Sequence, residues 1–350
     1  MSGLPLAGDS ASATPRREGG KPSIYDVAVV AGVSHQTVSR VLNEHPNIRS
    51  TTRERVLAAI DQVGYTRNSI ARALATSRTK RIGVLVDTPV QFGPGSTVRG
   101  VEQAARSAGY SVITTSVGEA PEAGVGAGVE YLISQGVDAL CVVAPRSSSL
   151  AALSRHHPGI PTLVISSEAE PDMLSASVDQ QTGAREVMEH LLVLGHRRIL
   201  HLAGPLDWLD AREREIAWRA TLTDAGLDIV EPTVGDWTSD SGYEYALHAP
   251  EVEGATAIFA ANDQMALGVI HGLTARGLRV PVDVSVVGFD DTADARHYLP
   301  PLTTVRQDFH ALGVASVGLI VQALDGIEPE QRTVTPIELV VRESTAPPRR

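Results

Sequence analysis

Residues 24–43 read Ile24-Tyr-Asp-Val-Ala-Val-Val-Ala-Gly-Val-Ser-His-Gln-Thr-Val-Ser-Arg-Val-Leu-Asn43. The spacing predicts two short helices joined by a tight turn. Ser23 is placed to cap the first helix, because a serine oxygen accepts from the unpaired N–H groups of a helix start. Val27, Ala28 and Ala31 fall on one helical face. Gly32 permits the turn, since glycine adopts positive φ without steric cost. Ser34 is placed to cap the second helix. Val38, Val41 and Leu42 face inward there, leaving His35, Gln36, Ser39 and Arg40 outward. A third helix, Thr51 to Val63, carries Arg53 and Arg55 and closes the small core. A helix-turn-helix sets the N-terminal residues of its second helix against base edges in the major groove. Gln36 suits adenine N6/N7, and Arg40 suits guanine O6/N7. The plain alternative is an ordinary helical hairpin with a polar outer face.

Charge bears on that choice. The 350 residues carry a net charge of −11, which taken as a whole opposes nucleic-acid binding. The average hides an asymmetry. Residues 1–81 hold 12 Lys+Arg and 6 Asp+Glu, a net +6, and the remainder holds 18 and 35, a net −17. A basic head on an acidic body suggests an anion-binding module joined to something else.

Composition excludes several classes. The hydrophobic fraction of 43% is ordinary for a soluble globular protein. No apolar run reaches transmembrane length. Residues 1–20 read as a disordered tail without the apolar stretch of a secretory leader. Cys141 is the only cysteine, so no intrachain disulfide forms, and its apolar surroundings mark it as a core residue. These features predict a cytoplasmic protein with no membrane partner.

Residues 67–81 read as a basic connector. Ser69 to Ala75 could form a helix too short to be stable alone in water. It is expected to order only against DNA or a partner copy. Leu74 is then a candidate minor-groove wedge, since apolar side chains inserted there kink the duplex. The alternative is a flexible linker.

From Ile82 onward, apolar runs (82–86, 112–115, 139–143, 162–165, 199–202, 257–259 and 285–287) alternate with helical stretches (98–108, 183–194, 212–225, 265–276 and 312–324). This pattern predicts parallel sheets with helices on both faces. Its length predicts two such subdomains. Ligands of open parallel sheets sit beyond the carboxyl ends of the strands. Asp87, Ser166, Asn262 and Asp290 follow strand ends, and Arg214 lies early in a helix. Trp237 and Phe309 offer flat apolar faces in a chain only 4% aromatic. An aromatic plate with fixed donors and acceptors suits a sugar. Each residue also has a bland reading. Asn262 or Asp263 can be a helix cap, Asp290 and Asp291 turn residues, Arg214 a partner of Asp210, and Trp237 core.

The stretches Ile24-Tyr-Asp-Val-Ala, Ala31-Gly-Val-Ser, Thr37-Val-Ser-Arg-Val-Leu-Asn43, Thr52-Arg-Glu-Arg-Val56 and Gly64-Tyr65…Asn68 together resemble the lactose-repressor/galactose-repressor family. In the body, Leu202-Ala-Gly-Pro-Leu206, Gly235-Asp-Trp237, Ala261-Asn-Asp-Gln-Met-Ala-Leu-Gly268, Ser285-Val-Val-Gly288, Pro300-Pro-Leu-Thr-Thr304 and Gln307-Asp-Phe309 extend the likeness to about residues 21–345. The resemblance implies an all-α helix-turn-helix headpiece (21–66) and a hinge helix with linker (67–81). It also implies an α/β, two-subdomain, periplasmic-binding-protein-like core. One core subdomain would comprise 82–178 plus 309–336, the other 179–308 plus 337–345. The DNA-binding residues it implies are Ser34, His35, Gln36, Thr37, Arg40, Asn43, Asn68 and Leu74. Arg214, Trp237, Asn262, Asp290 and Phe309 fall on the family's effector-contact positions. Three positions depart from the nearest family pattern. Asp87 replaces a serine and Ser166 an aspartate, which leaves the sugar open; His35 replaces a tyrosine, which leaves the operator open.

The implied function is a repressor that binds a pseudo-palindromic DNA operator as a homodimer. A β-galactoside- or β-glucoside-like effector between the subdomains would release it. The family's tetramer-forming leucine heptads are not seen before Arg350, so a dimer is expected. A regulator of the same fold answering to a nucleobase corepressor is the runner-up. A solute-binding protein of an uptake system would lack the head. An enzyme is disfavoured because no ligand-spaced cluster or nucleophile motif surrounds His156-His157 or His196. No cofactor or metal is expected.

Overall fold

A computed structural model of the protein describes residues 22–42, 45–66, 78–88, 90–117, 121–156, 158–168 and 173–349. The chain divides into two compact units, Met1–Ser77 and Arg78–Arg350.

Among its described residues the first unit has three helices, α1 (Ile24–Ala31), α2 (His35–Leu42) and α3 (Ser50–Val63). Ser23 and Asp26 form a reciprocal capping box, and Gly32 ends α1 at φ 63°. Ser34 Oγ accepts from the Thr37 N–H at 3.2 Å, capping α2. Val27, Ala28, Ala31, Val38, Val41, Val56 and Ala59 form the core.

The second unit begins with residues that the sequence reading assigned to the connector. The Thr79 and Lys80 N–H groups donate to the Asp138 carboxylate at 2.9 and 2.7 Å. β1 (Arg81–Val86) follows at once. Arg78, Lys80 and Arg81 therefore belong to the second unit. Counted by unit, the first carries a net +3 and the second −14.

The chain then runs α4 (Phe92–Ser107), β2 (Ser111–Ser116), α5 (Pro121–Ser134), β3 (Ala139–Val143), α6 (Ser147–Leu153), β4 (Thr162–Ile165) and β5 (Leu174–Val178). It crosses to a second lobe through α7 (Gln180–Leu194), β6 (Ile199–Ala203), α8 (Leu209–Asp224), β7 (Thr233–Val234), α9 (Ser239–His248), β8 (Ala257–Ala260), α10 (Asp263–Ala275), β9 (Ser285–Val287) and β10 (Thr304–Gln307). α11 (Phe309–Leu324) and β11 (Arg332–Thr335) return to the first lobe, and β12 (Ile337–Val340) to the second. The first lobe's parallel sheet has the order β11-β5-β4-β3-β1-β2. The second lobe's parallel sheet is β7-β6-β8-β9. Single bridges from Val287 to Thr303 and from Asp290 to Arg306 lead to β10, which pairs antiparallel with β12. Strands buried on both faces, such as β3 and β6, need no alternation and show none.

Three crossovers join the lobes, at residues 178–180, 307–309 and 335–337. The helices α4 and α11 meet at two glycines. A Cβ on Gly100 would lie 2.1 Å from the Phe309 carbonyl oxygen, and one on Gly313 would lie 2.3 Å from the Gly100 carbonyl carbon. This close approach sets the first turns of α4 and α11, and with them Phe92 and Phe309, side by side.

Candidate effector cleft and DNA-reading helix

Between the lobes lies a cleft of about 710 Å³, counting the space open to solvent. Its walls come from the carboxyl ends of strands and from the first turns of α4, α7, α8 and α11. Phe92, Trp208, Trp237 and Phe309 all line it. They are four of the chain's seven Phe and Trp residues, so its aromatic surface is concentrated here. Phe92 meets Phe309 edge to face at 5.9 Å, and Trp208 meets Trp237 edge to face at 5.3 Å.

The polar wall is a closed circuit. Arg214 Nε donates to Gln180 Oε1 at 2.9 Å. Gln180 Nε2 donates to Gln307 Oε1 at 2.9 Å. Gln307 Nε2 donates to Asp290 Oδ1 at 2.6 Å, and that oxygen lies 3.9 Å from Arg214 Nη2. All four side chains are buried. Arg214 also donates to the Ala261 carbonyl and lies over the Phe289 ring at 3.8 Å. Burial pulls the Arg214 pKa down, while Asp290, Asp210 and Asp263 oppose that shift. Burial pushes Asp290 up to about 6, against the Arg214 charge. Behind the circuit, burial and then Asp290 push Asp263 up to about 8, although Thr304 Oγ1 and the Thr292 N–H donate to it at 2.6 and 2.7 Å.

Six of the seven effector residues read from the sequence line the cleft: Ser166, Arg214, Trp237, Asn262, Asp290 and Phe309. Asn262 keeps both of its readings. Its Oδ1 caps α10 by accepting from the Met265 N–H at 2.8 Å, while its Nδ2 donates to the Trp237 carbonyl at 3.1 Å. That bond holds Trp237 at φ 73°, a conformation costly for a non-glycine residue. Asp290, at φ 114°, forms a single parallel bridge with Arg306 and is a circuit member, so it is not the turn residue of the plain reading. Arg214 reaches Gln180 and Asp290 rather than pairing with Asp210 along its own helix.

Asp87 is the correction. It does not line the cleft. Its side chain is 1% exposed and accepts from Arg146 Nε at 2.7 Å, from Arg146 Nη2 and from Ser149 Oγ. No carboxylate oxygen is left facing the ligand space. Arg146 in turn pairs its backbone with Trp208 across the lobes. The Ser147 N–H donates to the Asp207 carbonyl at 3.0 Å, and the Leu209 N–H donates to the Pro145 carbonyl at 2.8 Å. Leu209, at the start of α8, packs into a hydrophobic cluster with Leu85, Leu140 and Leu153 of the first lobe. Two side-chain contacts continue this seam, from Ser167 to Asp210 and from Arg212 to Glu168 at 2.5 Å.

Sequence reasoning missed Gln180, Gln307, Trp208, Phe92 and Asp210 in the cleft. Asp210 was within reach, since the sequence reading named it as a partner of Arg214 but not as a wall of the cleft. Gln307 entered only as part of the Gln307-Asp-Phe309 stretch, and Gln180 carried no sequence signal, since single glutamines are common on surfaces. Cys141 is buried in β3, with its thiol pushed up to about 12 by burial. His196 Nε2 bonds the Ala346 carbonyl, fixing the turn after α7. His157 lies outside the described residues. Among the described residues, no group of His, Cys, Asp and Glu could hold a metal ion, and no helix is long and apolar enough to cross a membrane.

In the first unit, His35, Gln36 and Arg40 are exposed on α2, Thr37 is half-buried, and Ser34 is exposed with its hydroxyl engaged in the cap. Tyr25 of α1, quoted in the sequence reading but not named there as a DNA contact, is 63% exposed and stands 5.1 Å from the His35 ring. Asn43, Asn68 and Leu74 lie outside the described residues.

A helix-turn-helix unit and a two-lobed parallel-sheet core in one chain define the architecture of a one-component transcription regulator. Residues 23–68 match the bacterial regulatory proteins of the lacI family, and residues 188–345 match the periplasmic binding protein-like domain. The chain is 36% identical to the lactose operon repressor of Escherichia coli K12, covering 93% of this chain and 91% of that one. It is 35% identical to the transcriptional regulator CelR of Thermobifida fusca, covering 93% and 98%. It is 34% identical to the transcriptional repressor PurR of Haemophilus influenzae (strain PittEE), covering 92% and 98%. In three dimensions it resembles the lac repressor dimer bound to operator and an anti-inducer (TM-score 0.81, 36% identity, covering 93% of this chain and 100% of that one). It also resembles a CelR–cellobiose complex (TM-score 0.68, 30% identity, 92% and 99%). The chain belongs to the LacI family of bacterial transcription regulators.

Proposed function

We propose that this protein is a sugar-responsive transcriptional repressor. The observation that carries the reading is the cleft itself. Four aromatic side chains and the Arg214–Gln180–Gln307–Asp290 circuit line the same space, with Arg214 5.9 Å from the Trp237 ring. Sugars present C–H faces to the former and hydroxyls to the latter. Relatives named for lactose and complexed with cellobiose support a β-galactoside- or β-glucoside-like effector.

In this reading residues 21–66 are the headpiece, with His35, Gln36 and Arg40 reading bases and Ser34, Thr37, Asn43 and Asn68 supporting the DNA contact. Residues 67–77 form the hinge, with Leu74 as its minor-groove wedge. Two copies place two heads on the half-sites of a pseudo-palindromic operator, as the operator-bound lac repressor dimer suggests. The sugar bridges residues 82–178 and 309–336 to residues 179–308 and 337–345. It acts only through its different affinity for the operator-competent and released states. A ~100-fold loss of operator affinity requires about 2.7 kcal/mol of coupling.

The test is a thermal-shift screen of the full chain with methyl glycosides, lactose, cellobiose and purines. Any hit is followed by release of a DNA duplex selected from a random pool. A sugar that both stabilises the protein and releases the duplex is expected. A shift with purines alone assigns the cleft to a nucleobase corepressor and overturns the sugar reading.

A further inference from the structure

Lys80 has φ 57°, a left-handed backbone that a lysine keeps only where its surroundings impose it. Here they do so from two sides. The Lys80 N–H donates to Asp138 Oδ2 at 2.7 Å, and its carbonyl accepts from the Ser111 N–H at 2.9 Å. Lys80 Nζ lies 4.2 Å from the centre of the Tyr110 ring and donates to the Tyr110 hydroxyl at 3.1 Å. The preceding residues are held too. The Thr79 N–H donates to Asp138 Oδ1 at 2.9 Å, and Thr79 Oγ1 donates to the Gly136 carbonyl at 2.7 Å. Arg78 Nη1 donates at 2.8 Å to Asp325 Oδ1, just past the end of α11.

Asp138 is the centre of this clasp. Its two carboxylate oxygens each take one of two consecutive backbone N–H groups, and neither N–H belongs to a strand ladder. Hydrogen bonds to an ionised acceptor are the stronger kind. The Asp138 N–H donates in turn to the Arg81 carbonyl at 2.8 Å, so the clasp closes on the first residue of β1. β1 is paired over Arg81–Val86 with β2 and over Ile82–Val86 with β3. The clasp is therefore rooted in a buried strand of the first lobe's sheet. It stands at the amino ends of these strands, the end opposite the effector cleft, and none of its residues lines that cleft.

A left-handed residue turns the chain sharply, so the clasp sets a direction as well as a point of attachment. What leaves along that direction is the connector to the DNA-reading unit, since Met1–Ser77 belongs to that unit and Arg78 opens the other. A dimer must set two heads on half-sites at a fixed spacing. If residues 78–80 were loose, each copy would have to order them on the operator, and that entropy would be subtracted from specific affinity. Binding of a head to phosphates at arbitrary sequence makes no such demand on spacing.

We infer that Asp138 is a positioning residue for operator recognition. It lies outside both the helix-turn-helix and the effector cleft, and it acts by holding Thr79 and Lys80 on the course from which two connectors reach two half-sites. This rests on the DNA role of the head and is independent of which effector the cleft takes.

Asp138→Ala and Asp138→Asn in the full chain test the inference. Each is titrated by fluorescence anisotropy, at one salt concentration, against a duplex selected from a random pool and against an unrelated duplex. Asp138→Ala should weaken the selected duplex about ten-fold or more, because residues 78–80 must then be ordered on DNA. The unrelated duplex should lose less than about two-fold, because the phosphate contacts of each head remain. Asp138→Asn keeps one acceptor oxygen and should fall between the alanine variant and the unaltered chain. Amide hydrogen exchange of the unaltered chain should show Thr79 and Lys80 protected, and the alanine variant should lose that protection. Where Asp138→Ala fails to fold, Asp138→Asn and the exchange of the unaltered chain decide. Equal losses on both duplexes make Asp138 merely structural and overturn the inference, as does an unchanged affinity for the selected duplex or rapid exchange at Thr79 and Lys80 in the unaltered chain. Failure of the unaltered chain to select any duplex overturns the DNA role itself, and the inference with it.

Discussion

Arg146 Nε donates to Asp87 Oδ2 at 2.7 Å, and Arg146 pairs its backbone with Trp208 of the opposite lobe. Asp87 is thus a part of the interlobe seam, linked through Arg146 to the cleft-lining Trp208. Its replacement by alanine leaves a largely buried guanidinium unpaired. We expect a loss of about 3–5 kcal/mol by urea unfolding, the usual cost of breaking a buried pair. Sugar affinity should fall as well, because the seam that seats Trp208 loosens. An unchanged unfolding midpoint would remove Asp87 from this role.

Arg214→Ala cuts the polar circuit at the residue that joins Gln180 to Asp290. It should weaken sugar binding by ~100-fold, in line with about 1.5–3 kcal/mol for hydrogen bonds to a charged group. Binding to a selected DNA duplex should persist while release by sugar disappears. Loss of both in a melting-competent protein would contradict the assignment of the cleft.

The acidity of Asp290 sets a pH dependence. Its pKa is raised by burial to about 6, and its ionised form faces Arg214. Sugar affinity should therefore decline as pH falls through about 6. Stability runs the other way. Asp290 and Asp263 are raised in the folded protein, the latter to about 8, so the native state binds protons that the unfolded chain has released. The stability they contribute is complete below pH 4 and is lost as pH rises toward 8. Asp263→Asn should flatten the decline in melting temperature measured between pH 5 and 8. An equal slope in the variant would clear Asp263 of the effect.

Gly204 faces the Trp237 ring. A Cβ added there would lie 2.1 Å from Trp237 Cη2, so Gly204→Ala must displace the plate. A stability loss of about 1–3 kcal/mol is expected from such overpacking. Sugar affinity should fall further than for a change remote from the cleft, and tryptophan fluorescence should report the altered ring environment.

In the headpiece, Arg40→Ala should cost about 1–3 kcal/mol on a specific duplex and relax preference at one base. Leu74→Ala should weaken specific binding far more than non-specific binding. Equal losses on both duplexes would return Leu74 to a linker. Binding of the full chain should also weaken steeply with salt, as phosphate neutralisation releases counterions.

Much of the architecture was legible along the chain, for physical reasons. A helix cap, a left-handed glycine and an apolar stripe are local, and Ser23, Gly32 and Val38 state them within one segment. Buried parallel strands declare themselves as apolar runs. The sequence reading placed the starts of α4, α7, α8 and α11 three to six residues late. Their first turns face the cleft, so they carry Phe92, Gln180, Asp210 and Phe309 in place of an amphipathic pattern. The site itself erased the signal.

Sequence alone pointed to the helix-turn-helix, the α/β body and six residues that line the cleft, through strand ends, scarce aromatics and the family resemblance, all of which are read along the chain. Only the tertiary structure decided that Asp87 belongs to Arg146, that Gln180 and Gln307 close a circuit through residues 127 positions apart, and that Arg78, Lys80 and Arg81 belong to the core. Hydrogen bonds between distant segments depend on where three crossovers bring them, and no local pattern of residues records that meeting.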